Sequence, residues 1–393
     1  SGLAQAAVAG SFQARTRGKD FDWICDAMFA PNSTEVALPM MFFMWVCWGL
    51  WPCFRKLGAS QTEHFGLTFV FFQLLICLVL CFTLGMVTID ADHFDEERFP
   101  QKLAQEVAEK WPAILVAFFG GSLVCSGHFV MAKAIDALGV AIALPTGWGL
   151  AMLYGTAASY AIEPKANPQL LFPGLAAGFL GLLCDAASKM EAPASKAADG
   201  AADVEEATLA AESKQDFRKL LLPVFGGLMV GSQGPINAAA ATAGQLSPLP
   251  QLIAFMLGEA FIIYPVSSLY VWIALGKSGR KGRSFLGVAC GLPASCIQAY
   301  RKRPKALFWD ALAGTAVGMG YFLFFVGTPV VSKAVGQMFG SSSLLLSVLT
   351  GILIFGEMEG KSCKQKALCG SCVALLGVAL ALMSTASLQE QSG

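Results

Sequence analysis

Long apolar stretches alternate with short polar ones along most of the chain. Ten stretches, at 36–54, 66–89, 112–133, 140–161, 170–187, 220–241, 249–275, 308–329, 334–355 and 366–384, are nearly free of charge. A helix of about 20 apolar residues crosses roughly 30 Å of hydrocarbon, so the pattern predicts ten transmembrane helices. Between the fifth and sixth stretches, residues 188–217 (SKMEAPASKAADGAADVEEATLAAESKQDF) are rich in Ala, Ser and charge, and read as a solvated, partly disordered connector. A second connection, 276–307, holds the apolar segment SFLGVACGLPASCIQAY (284–300). Its 17 residues and central Pro293 suit an interfacial or re-entrant segment better than a span. The expected organisation is an extramembrane segment at 1–35, a five-helix unit at 36–187, a linker at 188–219, a second five-helix unit at 220–384 and a tail at 385–393.

Composition fits an all-α polytopic membrane protein. Of the 393 residues 55% are hydrophobic and 14% charged, where a soluble domain carries about 25% charged. Mean hydropathy is +0.59. The 27 basic and 27 acidic residues cancel, and no basic face is interleaved with aromatics, so nucleic acid is not an expected partner. Most of the 12 cysteines fall inside apolar stretches, where they pack as small side chains, so no disulfide framework is read. Cys369 and Cys372 form a lone CxxC with no second pair and no nearby histidine. No HExxH, GxSxG or paired-Asp motif occurs, and His64, His93 and His128 are far apart in sequence. Neither enzyme activity, cofactor nor metal is expected. The expected partners are a small-molecule substrate and the lipid bilayer, and a homodimer is an assembly the chain permits. The chain opens on Ser1, and residues 1–35 lack the apolar core of a signal peptide.

Loop charges predict the orientation. Connections after the first, third, fifth, seventh and ninth stretches carry 19 of the 27 Lys and Arg residues. The positive-inside rule then places the linker in the cytoplasm and both termini across the membrane, be it the plasma membrane or that of an organelle. Asn32-Ser33-Thr34 is a glycosylation sequon on that far side, close to the first helix.

The two units also resemble each other in order. MAKAIDALGVA (131–141) aligns with VSKAVGQMF (331–339) when three residues are skipped, pairing Lys133 with Lys333 and Gly139 with Gly336. LYG (153–155) falls against LTG (349–351), and each unit then reaches an acid, Glu163 or Glu357. FVFFQLLIC (69–77) lies against FMLGEAFII (255–263), pairing Gln73 with Glu259, and WGLWP (48–52) against GSQGP (231–235). Five helices per unit is odd, so the second unit is inverted relative to the first. Inverted repeats mark alternating-access transporters, which hold substrate near the midplane. A duplicated membrane scaffold without transport is the other reading.

Several motifs carry a family resemblance. WGLWP (48–52), KWPAILVAFFGG (110–121), LLFPGLAAGFLG (170–181) and GLPASCIQAY (291–300) resemble, in order, segments of the ureide permeases. GILIFGE (351–357) resembles the end of their ninth helix and is shared with the wider drug/metabolite transporter superfamily. The resemblance covers about residues 38–384. It implies ten helices, a cytoplasmic linker and proton-coupled import of small polar heterocycles such as allantoin and uracil. Other members of that superfamily move glucose or nucleotide sugars, the alternative cargo. A nucleotide sugar would need cationic groups in the cavity, and no Lys or Arg falls at a helix centre. One departure stands out: ureide permeases carry a phosphate-loop-like motif in the linker, whereas 188–217 has no GxxxxGK[ST]. Gly276-Lys277-Ser278 and Gly360-Lys361-Ser362 lack the glycine five residues ahead, so no nucleotide hydrolysis is expected.

Polar groups deep in a membrane tend to mark pathways or relays. Glu259 lies mid-helix between FML and AFIIYP. It is the candidate proton carrier, because burial there penalises its charged form; a carboxyl tying two helices together is the alternative. His128 is a candidate relay or donor to a substrate carbonyl, or else a core histidine. Gln73 has an amide that matches the donor–acceptor edge of a ureide or base. Gln233 and Asn237 flank Pro235, where a broken helix can turn carbonyls toward a cavity. Each of these amides equally suits an inter-helix hydrogen bond. Trp148 follows Pro145, with Tyr154 two turns on, and Tyr264 precedes Pro265; all three are candidate lining groups. Trp51 and Trp111 read as interface anchors, and Gly120-Gly121 and Gly226-Gly227 as sites of close helix packing. Lys133 and Lys333 read as snorkelling anchors, with matched gate charges as the alternative.

Overall fold

The computed structural model describes residues 31–391 apart from 32, 87–98, 139, 191–218, 277–283 and 357. The linker, most of the N-terminal segment, Asn32, Gly139 and Glu357 therefore lie outside the described residues. Among the described residues every regular element is helical.

The first part of the chain forms α1 (Thr34–Gly58), α2 (Thr62–Thr83), α3 (Phe99–Glu109), α4 (Trp111–Leu138), α5 (Val140–Ile162) and α6 (Pro168–Met190). After the linker come α7 (219–231), α8 (Gln233–Thr242), α9 (Pro248–Ala274), α10 (Phe285–Lys302), α11 (Pro304–Val331), α12 (Lys333–Ser342), α13 (Leu344–Leu353) and α14 (Cys363–Gln391). Among the described residues eight spans are long and apolar enough to cross a membrane: α1, α2, α4, α6, α9, α11, α12 with α13, and α14. The other two predicted stretches are helical too, as α5 and as α7 followed by α8.

Local chemistry explains several boundaries. Pro235 has no N–H for the carbonyl of Gly231, and the ladder gives way at Ser232, separating α7 from α8. Pro248 and Pro304 open α9 and α11, where a missing N–H costs nothing. Ser332 closes the tight turn between α11 and α12 at φ 79°, and its Oγ accepts the Val335 N–H at 3.2 Å. The 284–300 segment is a single helix running through Pro293. Several boundaries differ from expectation by a few residues, two of them with a change of element. The second stretch ends as helix at Thr83 with a 3₁₀ turn to Met86, and α14 continues to Gln391, into the expected tail.

The outer surface is apolar. Phe119 and Phe261 are 64% and 65% exposed, and Phe71, Phe225 and Phe308 also point outward. A soluble protein does not carry so continuous an apolar surface; a bilayer covers it. The molecule is an integral membrane protein.

Inside, α1 packs on α11, α4 on α9, α6 on α14 and α5 on α12, while α2 touches both α9 and α11. α8 lies against α4 and α5, and α13 against α1. The α4–α9 approach is close because Gly121 faces the Phe255 carbonyl and Gly258 faces the Phe118 carbonyl. Ser122 Oγ reinforces it, donating to the Gly258 carbonyl at 3.0 Å. Gly227 meets the Gly147 carbonyl in the same manner.

Candidate functional site

Two adjoining hollows lie between helices from before and after the linker. The first runs from Glu259 on α9 to Thr62 at the start of α2, walled by Trp51, Phe65, Phe69, His128 and Phe129. The second shares Trp51, Phe69 and His128 and adds Trp48, Trp148, Gln233, Tyr321, Gln337, Ser341 and Ser343. Each is narrow in this conformation, with about 30 Å³ of space for the centres of water-sized spheres, so a small-molecule cargo requires the surrounding helices to part. The walls are largely aromatic. Trp148 sits between Trp51 and His128, each ring centroid 6.2 Å from its own.

Glu259 is 1% exposed. Its Oε2 accepts the Gln73 Nε2 at 2.9 Å across the α2–α9 contact. The Tyr321 hydroxyl lies near the same carboxyl, while Oε1 has no partner of good hydrogen-bond geometry. The group is thus held at one oxygen, half-satisfied at the other, and borders a hollow. Cys77 and Cys125 pack around it.

Of the residues singled out from sequence, His128, Trp148, Gln233 and Glu259 line the hollows, and Gln73 stands behind Glu259. Asn237 is fully buried one turn beyond Gln233, where its Oδ1 and its carbonyl both accept from the Gln251 amide of α9. Tyr154 is 39% exposed on the outside of the bundle. Tyr264 also faces outward, and its hydroxyl donates to the Ala289 carbonyl at 2.5 Å, fastening α10 to α9.

Two expectations are corrected. Trp51 is buried and lines both hollows; α1 continues to Gly58, so this residue is not at a helix end. Lys333 does not snorkel. It is 1% exposed at the α11–α12 turn, and its Nζ donates to Thr328 Oγ1 at 2.6 Å. Lys133 differs, pairing with Asp136 at 3.1 Å and lying over the Tyr270 ring. Trp48, Phe69, Tyr321 and Gln337 were not anticipated as lining groups. Their only sequence signal is an aromatic or amide inside an apolar run.

A third, polar recess lies against α10, lined by Ser60, His64, Gln298, Tyr300, Lys302 and Arg303. Tyr300 donates to Asp310 Oδ2 at 2.7 Å. Burial first, and the adjacent carboxylate after it, hold the Tyr300 phenol above its ordinary range. Among the described residues no cluster of three His, Cys, Asp or Glu has metal-holding geometry.

A family model for the ureide permeases matches residues 66–219. Ureide permease 4 of Arabidopsis thaliana is 25% identical over 410 residues, spanning 92% of this chain and 99% of the relative. The chain is similar to the ureide permeases. Ureide permease 2 of the same plant is 22% identical, spanning 86% of this chain and 93% of the relative. Probable ureide permease A3 of Vigna unguiculata is 24% identical, spanning 84% and 97%. Together with the apolar helices, this likeness to the ureide permeases supports a membrane transporter rather than an enzyme.

Proposed function

We propose that the chain is a ureide-permease-type secondary transporter, within the drug/metabolite transporter superfamily, that moves a small polar ureide or nucleobase by alternating access. Two inverted five-helix halves, 36–187 and 220–384, would rock about the hollows, with the linker cytoplasmic and both termini across the membrane. The observation that carries this reading is the Glu259–Gln73 pair, a buried half-satisfied carboxyl beside an aromatic hollow between the two halves.

The helix neighbours support the inverted repeat. Exchanging the first half for the second turns α1-on-α11 into the contact of α8 with α4, and α2-on-α11 into α9-on-α4. The α2–α9, α5–α12 and α6–α14 contacts map onto themselves, as contacts along a two-fold axis do. Gln73 and Glu259 occupy equivalent repeat positions and meet each other, as residues on such an axis would.

The chemistry supports a planar polar cargo. Trp51, Trp148 and Phe69 offer ring faces for stacking, and His128, Gln233 and Tyr321 offer hydrogen bonds at the edge. No Lys or Arg lines either hollow, which disfavours the phosphates of a nucleotide sugar. Glu259, able to exchange a proton where the hollow admits water, would couple transport to the proton gradient.

Uptake of radiolabelled uracil, allantoin and glucose into proteoliposomes tests the assignment. Uracil or allantoin uptake is expected. Glucose uptake alone would move the protein to the sugar branch, and no uptake of any of the three would favour a scaffold.

A further inference from the structure

The second hollow contains two buried amides that satisfy neither each other nor any other group. Gln233 on α8 and Gln337 on α12 are each 3% exposed. Gln233 Nε2 is an unpartnered donor and Gln337 Oε1 an unpartnered acceptor, and both side chains line the hollow. Leaving buried amide groups unpaired is unfavourable and is rare without a reason. Several other buried hydroxyls spend themselves on backbone carbonyls, as Ser159 does on Gly155 and Thr328 on Phe324. Others, such as Thr156, Ser267 and Ser268, are unpartnered too; Gln233 and Gln337 differ from these in lining a hollow.

The surroundings keep this acceptor in place. Gly155 of α5 and Gly234 of α8 flank Gln337: a Cβ built at Gly155 would lie 2.9 Å from its Cγ, and one at Gly234 would lie 3.2 Å from its Oε1. The side chain therefore lies in a slot that only glycines leave open. Trp48, Trp51 and Trp148 wall the same hollow, so a flat ring seated between them when the narrow hollow widens would present its edge to the amides.

We propose that Gln337 and Gln233 form a two-point reader of the substrate edge. Gln337 Oε1 accepts from a ring N–H, and Gln233 Nε2 donates to the neighbouring carbonyl. The pair thereby selects compounds that carry N–H and C=O side by side, and rejects rings of the same size whose nitrogens are alkylated. This rests on the transport reading above and deepens it, making Gln337 a specificity-determining residue of the site. A site built to hydrogen-bond a substrate group discriminates sharply against analogues lacking it, because its own polar atoms are then left unpaired.

The test uses the full chain in proteoliposomes and in detergent. Uptake of labelled uracil is competed with unlabelled uracil and with 1,3-dimethyluracil, and direct binding is followed by quenching of tryptophan fluorescence. Wild type should prefer uracil over the dimethyl compound by about 10- to 100-fold, the effect of one or two lost buried hydrogen bonds. Gln337→Leu should raise KM by about tenfold at little change in maximal rate and erase the preference. Gln337→Glu, which keeps an acceptor at the same place, should retain that preference, so the prediction does not depend on the leucine variant folding. A folded Gln337→Leu protein with wild-type KM and wild-type discrimination would overturn the proposal. Failure of transport is distinguishable. Uracil quenching that depends on Gln337 without uptake of uracil or allantoin would sustain the reader and sink the transporter, whereas wild type that neither binds nor moves uracil or allantoin would overturn both.

Discussion

Glu106 and Glu259 are the same residue type at nearly the same burial, 3% and 1% exposed, in opposite circumstances. Glu106, on the short helix before α4, has both oxygens occupied. It accepts the Ser247 N–H at 3.1 Å, the Ser247 hydroxyl at 2.7 Å and Lys110 Nζ at 2.9 Å. It thereby fastens the start of α9, whose first amides would otherwise be unpaired. Glu259, in the middle of that same helix, bonds Gln73, lies near the Tyr321 hydroxyl, has one oxygen without a well-placed donor, and has a hollow beside it. A carboxyl that is paired with a cation and fully hydrogen-bonded is a fixture. A carboxyl whose neighbours, Gln73 and the Tyr321 hydroxyl, are both neutral and that has access to a cavity can change its protonation state at little structural expense. The difference between the two lies in their partners, and burial alone would not reveal it.

The sharpest way to break the comparison is to neutralise each acid without changing its shape. Glu259→Gln should abolish acceleration of uptake by an inward proton gradient while preserving the fold, because the new amide can still bond Gln73. Next in size is Glu106→Ala, which should lower stability by about 1–3 kcal/mol, read as a depressed Tm in detergent, since it leaves Ser247 unpaired and Lys110 with only the Gln245 carbonyl. Uptake per folded molecule should remain. If Glu106→Ala instead removed gradient dependence, the division between fixture and carrier would fail. Trp148→Ala should raise KM about tenfold by removing a stacking face, with proton dependence intact. The smallest effect is that of Tyr264→Phe, about 1 kcal/mol in stability from the lost bond to Ala289, with no change in KM.

These contrasts also show what could be read from sequence. Over the described residues each of the ten apolar stretches is largely helical, and the segment around Pro293 forms a separate helix, because length and hydropathy are properties of a stretch and survive ignorance of its neighbours. The orientation of each helix is another matter. In a bilayer the lipid-facing side is as apolar as the core-facing side, so a spanning helix carries little amphipathic signal. That is why the sequence places Tyr154 and Tyr264 in the lining although they face outward, and why Trp51 reads as an anchor. Gln337 went unnoticed beside Lys333 because its meaning depends on Gly155 and Gly234, residues from two other helices. Phe99–Glu109 was missed because it is short and half polar, and it matters through Glu106, whose partner Ser247 is 141 residues away. The pairing of Gln73 with Glu259 was legible only as a repeat correspondence; that the two touch is a fact of packing.

Whether Glu259 carries the coupling proton is tested most directly by comparing net uptake with exchange in proteoliposomes. Wild type and Glu259→Gln would be loaded with unlabelled uracil for exchange, or left empty under an inward proton gradient for net uptake. Wild type should perform both. The variant should exchange labelled for unlabelled uracil, since exchange requires no net proton movement, and should gain nothing from the gradient. A variant that accumulates uracil under the gradient as wild type does would contradict Glu259 as the carrier.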